Sequence, residues 1–126
     1  MKLNRRALHQ RALALAALGL FAAAPALAQD KPKVALVMKS LANEFFQTME
    51  DGAKAHNKAN AAKYTLVANG IKDETDTAGQ IKMVEQMMAQ NINALVIAPA
   101  DSKALVPVVK AAIDKGILVV NIDNRL

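Results

Sequence analysis

The sequence predicts an α/β fold, an open parallel sheet with flanking helices, and two observations support this. Apolar runs alternate with stretches of helical periodicity, and four such runs begin near residues 34, 65, 94 and 118. Their spacings of 31, 29 and 24 residues match strand–helix–strand units, in which a helix connects two parallel strands. Such sheets bind ligands beyond the carboxyl ends of the strands, near the point where the strand order reverses.

The apolar runs are the predicted strands. The first has no polar residue, which is typical of a strand that is buried on both faces. The second is expected to end at the turn-forming pair Asn69-Gly70, and the third is expected to stop at Pro99. The four predicted strands cover residues 34–38, 64–68, 94–98 and 117–122.

The first predicted helix follows over residues 45–62. Phe46, Met49 and Ala53 have the spacing of an apolar stripe, and the charged residues lie on the other sides of the helix. Gly52 lies inside the helix, where glycine costs roughly 1 kcal/mol relative to alanine. We therefore expect close packing at Gly52.

Two more helices are predicted between the later strands. The second ends near Gln90, and its N-terminus has three possible caps, Asp73, Thr75 and Asp76. Its predicted core residues are Ile81, Val84 and Met88, with Met83 and Met87 beside them as core filling.

The third helix is predicted to run to Lys115, before Gly116. Asp101 and Ser102 precede it, and we expect them to cap the helix rather than to bind a ligand. Pro107 lies within the apolar pattern and should end or restart the first turn.

Residues 1–28 are predicted to be a cleaved export signal. Four basic residues precede an uncharged run over residues 12–24, and Ala26-Leu27-Ala28 supplies a small-x-small cleavage pattern. The run of 13 residues is shorter than the roughly 20 of a membrane-spanning helix. The alternative is an uncleaved anchoring helix. The sequence leaves open whether export uses the general or the twin-arginine route. We expect the mature protein to be soluble outside the cytoplasm.

Charge and composition exclude several classes of function. The formal charge is +5, but after residue 28 there are twelve basic and eleven acidic residues, so no footprint for nucleic acid is present. The chain has no cysteine, and His56 is its one histidine after the leader, so no metal site or cofactor is expected. Without a phosphate-binding loop or a nucleophile motif, we expect no enzymatic activity.

Asn43, Phe45 and Phe46 are the first candidate site residues, directly after the first strand. The amide of Asn43 can recognise hydroxyl groups, or it can cap the first helix, and the sequence leaves both open. Neighbouring helical residues point about 100° apart, and Phe46 belongs to the apolar stripe. Phe45 is then nearer the cleft edge, although core packing of both rings is the alternative.

Asp123, Asn124 and Arg125 are the second group of candidates, directly after the fourth strand. A carboxylate, an amide and a guanidinium at one strand end can bind hydroxyl groups or an anion through charge-assisted hydrogen bonds. The alternative is a simple turn, which Asp-Asn pairs favour.

These motifs resemble the ribose-type periplasmic sugar-binding proteins, the substrate-capturing components of ABC importers. The resemblance begins with the leader and continues through Asn43-Glu44-Phe45-Phe46 after the first strand. It includes residues 94–102, with their Pro-x-Asp turn, and residues 117–123, which end in Asp123. It extends over residues 33–126.

The resemblance implies residue roles. The family's sugar-contacting asparagine falls on Asn43, its two ring-packing aromatics on Phe45 and Phe46, and its strand-end aspartate on Asp123. Two positions depart from the family pattern. The arginine that usually follows the aspartate is Asn124 here, with Arg125 one place later, and Glu44 occupies a position where proline is common.

The resemblance also implies an architecture and partners. The family fold has two α/β lobes joined by a hinge. Residues 29–126 would then be an incomplete N-terminal lobe, that is, the first part of lobe one. This segment alone is expected to bind sugar weakly and to be marginally stable or prone to aggregation. The complete protein would be a periplasmic monomer that binds a sugar and docks on a membrane permease.

Three alternatives share parts of this pattern. A sugar-responsive transcription regulator would begin with a helix-turn-helix segment rather than an export signal. A sugar sensor for signalling or chemotaxis would differ only in the protein on which it docks. An exported α/β enzyme would need a nucleophile and a base, and the sequence shows no such pair.

Overall fold

The computed structural model describes residues 30–126, so the predicted export signal over residues 1–28 lies outside the described residues. The elements alternate between strands and helices along the chain, as the sequence predicts. In chain order they are β1 (Lys33–Ser40), α1 (Glu44–Ala59), β2 (Thr65–Ile71), α2 (Thr77–Ala89), β3 (Ala94–Ile97), α3 (Val106–Asp114) and β4 (Leu118–Asn121).

The four strands form one parallel sheet in the order β2-β1-β3-β4, which confirms the predicted fold class. The chain moves outward from β1 to β2 and then crosses back to the other side of β1. The strand order therefore reverses between β1 and β3. An α/β sheet opens a crevice at such a point, beyond the carboxyl ends of the strands.

Each face of the sheet has its own apolar core. Helices α2 and α3 cover one face, where the buried residues include Val37, Val84, Leu95, Ile97 and Leu105. Helix α1 covers the other face, where Leu36, Met38, Phe46 and Ala98 are buried together. Since β1 contributes to both cores, its uninterrupted apolar sequence follows from its central position.

Strand β2 is longer than predicted. It continues through Asn69 and Gly70 to Ile71, and Gly70 lies opposite Met38 in the parallel register. The expected turn at Asn69-Gly70 is wrong because pairing with β1 outweighs the local turn preference of these two residues. Gly70 also lies close to the turn after β1, since a β-carbon there would be 3.0 Å from Leu41.

The helices differ from prediction in two details. Gly52 is exposed, and a β-carbon there would have no neighbour within 4 Å, so the expected close packing is wrong. In α2 the buried residues are Gln80, Val84 and Met87, and Met88 is only half-buried. Helix α3 begins at Val106 with Pro107 in its first turn, which confirms the predicted restart.

Strand β4 is an edge of the sheet and is only partly covered. Leu118 and Val120 are 66% and 43% exposed. Beside them, Val96 and Ile122 line an apolar groove of about 390 Å³ that runs along the face covered by α1. Within residues 30–126, no helix has the length and hydrophobicity needed to cross a membrane.

Candidate functional site

The predicted site residues lie just after the carboxyl ends of two strands: in the loop and first helical turn after β1, and in the segment after β4. Asn43 ends the short connection between β1 and α1. Asp123 follows β4, which lies two places away in the sheet. The end of β3 and the loop after it lie between them, so the candidates surround the point where the strand order reverses.

Asn43 is the N-cap of α1. Its Oδ1 accepts a hydrogen bond from the backbone N–H of Phe45 at 3.0 Å, and its backbone is extended. Its Nδ2 donates to Oε1 of Glu74, which lies in the loop after β2, also at 3.0 Å. The capping interpretation is thus confirmed. These two bonds orient the amide and use one of its two N–H donors.

The two phenylalanines have different environments. Phe46 is 3% exposed and belongs to the core under α1, whereas Phe45 is 59% exposed. Their rings meet edge to face, with centroids 5.1 Å apart and an interplanar angle of 82°. The alternative, in which both rings pack in the core, is therefore wrong. Phe45 thus presents an exposed aromatic ring in the first turn of α1, and the edge of the buried Phe46 contacts it.

Asp123 forms an ion pair with Lys39, which lies at the end of the first strand and has no role predicted from the sequence. Oδ2 of Asp123 is 2.6 Å from Nζ of Lys39, and the two side chains are 33% and 11% exposed. Lys39 lies near the end of β1, so the pair spans the carboxyl end of β3. The signal available in the sequence was a lysine that directly follows an uninterrupted apolar strand.

The segment after β4 is a bend that Asn121 organises. Nδ2 of Asn121 donates to the carbonyl of Asn124 at 2.8 Å, and its Oδ1 accepts from the N–H of Leu126 at 2.9 Å. Asp123 has a φ of 63°, a left-handed conformation that aspartate tolerates better than most residues. The chain therefore bends at Asp123 and Asn124, and both Asn124 and Arg125 are exposed.

Two further carboxylates stabilise loops at this edge. Hydrogen bonds from the hydroxyl and backbone N–H of Thr75 lower the pKa of Asp73. Hydrogen bonds from the backbone N–H groups of Ala104 and Lys103 lower the pKa of Asp101. Asp101 therefore caps the turn before α3. The N-cap of α3 itself is Leu105, which makes no side-chain capping bond, so the expectation that Asp101 and Ser102 cap the helix is wrong. Both carboxylates are charged at neutral pH.

Gln80 is a further residue that pattern reasoning missed. It lies in the first turns of α2, is fully buried, and bonds backbone groups at the ends of β1 and β3. A polar residue at a core position of a helix contributes nothing to an apolar periodicity. Its spacing of four residues before Val84 was the available signal.

Comparison with known proteins decides the family. The profile of the family described as periplasmic binding protein domain matches residues 34–125. The chain belongs to this family. The match confirms the family and fold class that the sequence predicts.

A curated relative and a crystal structure are both highly similar to the chain. A D-ribose/D-allose-binding protein of Pseudomonas aeruginosa is 72% identical over 96 residues, which are 76% of this chain and 30% of that protein. A solute-binding protein of an ABC transporter from Burkholderia multivorans, crystallised with an unknown ligand, is 70% identical with a TM-score of 0.77. The match covers 78% of this chain and 35% of that one.

More distant members share the fold. A periplasmic solute-binding protein from Actinobacillus succinogenes with bound D-allose is 34% identical, with a TM-score of 0.71, and the match covers 76% of this chain and 33% of that one. The ribose import binding protein RbsB of Escherichia coli is 31% identical over 111 residues, 88% of this chain and 36% of that protein. The chain thus spans about a third of the length of these relatives.

Proposed function

We propose that the full-length protein containing this chain is a periplasmic solute-binding protein that captures a monosaccharide, or a related polyol, for an ABC importer. The observation that carries the proposal is the arrangement of groups at the strand-order reversal. An exposed aromatic ring, an oriented amide and a charged pair lie at the carboxyl ends of β1 and β4. This combination suits a sugar, which has both apolar ring faces and hydroxyl groups.

Each group has a proposed role in binding. Phe45 packs against the apolar face of the sugar ring, and the free N–H of Asn43 donates to a hydroxyl oxygen. The carboxylate of Asp123 accepts from one or two hydroxyl groups, and Lys39 donates to one. Asn124 and Arg125 lie at the rim, where they contact the parts of the ligand that differ between sugars.

Phe46 has an indirect role in this proposal. Its ring is buried against the sheet, so it supports Phe45 through the edge-to-face contact instead of covering the sugar itself. This refines the expectation that both rings contact the ligand.

The remaining features of the function are also proposals. Residues 1–28 serve as a cleaved export signal, and residues 29–126 form part of an N-terminal lobe. A second lobe closes over the sugar by a hinge motion, and the closed monomer docks on the membrane permease. The protein carries no catalytic activity in this role.

The similarity to proteins named for ribose and allose suggests which sugars to test first. The thermal unfolding temperature of the full-length protein should rise with a millimolar concentration of D-ribose or D-allose, since a ligand that binds only the folded state stabilises it. A panel of other pentoses, hexoses and polyols would then define the range. If no member of the panel raises the unfolding temperature or gives heat of binding, the proposal is refuted.

Site variants make the test specific. Asn43→Ala and Asp123→Ala should each weaken the affinity for the best sugar at least about tenfold, equivalent to ~1.4 kcal/mol. Lys110→Ala is the control, because it removes an exposed ion pair with Asp114 in α3, away from the loops of the site. Unchanged affinity in both site variants would show that the crevice is wrongly assigned.

A further inference from the structure

Gln80 is a fully buried polar side chain that connects two neighbouring strands where the crevice opens. Its Nε2 donates to the carbonyl of Met38 at 3.3 Å and to that of Ala98 at 2.9 Å. Its Oε1 accepts from the backbone N–H of Ala100 at 2.7 Å. All the hydrogen-bonding groups of this amide except one lone pair are therefore used.

These bonds begin where the sheet ends. The register between β1 and β3 stops at the pair Val37 and Ile97, and the N–H of Ala98 makes one more bond to the carbonyl of Val37 at 2.9 Å. Beyond this bond, the side chain of Gln80 makes the next connections between the two strand ends. A glutamine suits the position because it donates twice and accepts once within a single planar group.

The connected backbone leads directly into the site. Met38 precedes Lys39, whose ammonium group pairs with Asp123 across the end of β3. Ala98 and Ala100 flank Pro99 in the loop after β3, over which that pair extends. We propose that Gln80 is a positioning residue for the sugar site: it sets the separation of the ends of β1 and β3, and thereby the place of Lys39 and Asp123. This inference rests on the proposed sugar-binding function.

The physical reason is the cost of leaving buried backbone groups without partners. If residue 80 were apolar, the carbonyls of Met38 and Ala98 and the N–H of Ala100 would lose these hydrogen bonds beside the buried core. The strand ends would then shift until those groups found other partners. A shift of 1 Å at Lys39 is enough to misplace a charged group that must meet a sugar hydroxyl within hydrogen-bonding distance.

The first test uses Gln80→Met in the full-length protein. Methionine has a similar size and no hydrogen-bonding amide, so the core stays filled. Affinities for D-ribose and D-allose are measured by calorimetry at a temperature where circular dichroism shows the variant folded. The expected result is at least a tenfold loss of affinity, with the heat of binding still detectable at higher sugar concentration.

A second variant, Gln80→Glu, makes the role depend on pH. The ionised carboxylate faces the carbonyls of Met38 and Ala98 and repels them, whereas the protonated carboxyl donates to one carbonyl and still accepts from Ala100. Burial raises the pKa of such a carboxyl group, so the group is neutral at mildly acidic pH. Affinity should therefore be weak at pH 8 and recover toward the wild-type value near pH 5, and this readout also serves if Gln80→Met does not fold.

Met87→Ala is the matched control in the same helix. Met87 is buried in the core under α2 but makes none of the bonds to the strand ends. It should lower the unfolding temperature without changing the affinity of the folded protein. If Gln80→Met binds sugar with wild-type affinity, or if Gln80→Glu does so at pH 8, the inference is overturned while the proposed function stands. Absence of sugar binding by the wild-type protein overturns the inference together with the proposed function.

Discussion

Replacement of Phe46 by alanine should mainly reduce stability, whereas replacement of Phe45 by alanine should mainly reduce the affinity for sugar. Phe46 is 3% exposed and packs against Leu36 and Met38, so Phe46→Ala creates a cavity and should destabilise the protein by about 3–5 kcal/mol. Phe45 is 59% exposed and loses mainly its edge-to-face contact. The expected loss of stability for Phe45→Ala is therefore only about 0.5–1.5 kcal/mol.

The effect of Phe45→Ala on sugar binding follows from the same exposure. A phenylalanine has on the order of 200 Å² of surface, and with 59% of it exposed roughly 120 Å² is available to a ligand. Complete covering would contribute about 3 kcal/mol at ~25 cal/mol per Å². A sugar that covers half of this area contributes about 1.5 kcal/mol, so the affinity should fall about tenfold.

Urea unfolding followed by circular dichroism measures the stability of both variants, and calorimetry with the best sugar measures affinity. Phe46→Leu is the control for ring loss in the core, since it keeps most of the buried volume and should cost less than Phe46→Ala. If Phe45→Ala lowers the urea midpoint as much as Phe46→Ala and leaves the affinity unchanged, then Phe45 is a core residue and the reasoning is refuted.

Three other perturbations test the structure. Lys39→Met and Asp123→Ala should show a coupling energy of ~1 kcal/mol or more in a double-mutant cycle of urea unfolding, and a coupling near zero would mean that the ion pair is absent in solution. Asp101 accepts two backbone hydrogen bonds that lower its pKa, so its contribution to stability is complete above its unfolded pKa of about 3.9 and disappears as the pH falls through the lower folded pKa. The urea midpoint should therefore fall less between pH 5 and pH 2 in Asp101→Asn than in the wild type, and equal slopes would contradict this. Gly52→Ala should stabilise the protein by up to about 1 kcal/mol. Gly70→Ala should destabilise it by about 1–3 kcal/mol, because the added β-carbon would be 3.0 Å from Leu41. A change of stability with the same sign in both variants would contradict the described packing.

Local patterns were sufficient for the elements and for part of the site. The uninterrupted apolar sequence of β1 indicates burial on both faces, which is what a central parallel strand requires. The position of Phe46 in a helical stripe with Met49 distinguishes it from Phe45 by local spacing alone. These features depend on residues within a few positions of each other.

Other features depend on groups that are distant in the sequence. Asn43 and Glu74 are 31 residues apart, and Gln80 bonds a carbonyl 42 residues away. Periodicity describes the spacing of apolar residues along the chain. It therefore cannot show that a buried glutamine or lysine finds its partners on other strands. The same limit explains β2, where pairing with β1 extended the strand through Asn69-Gly70.

The sequence by itself determined the order of strands and helices, the parallel sheet they form and the candidates at the strand ends, because burial and helix capping are local in the chain. Only the tertiary structure decided that Lys39 pairs with Asp123, that Glu74 orients Asn43, and that Gln80 joins the strands at the crevice. The physical reason is that charged and polar side chains gain stability only from specific partners. Those partners meet only when strands that are distant in the chain end at the same edge of the sheet.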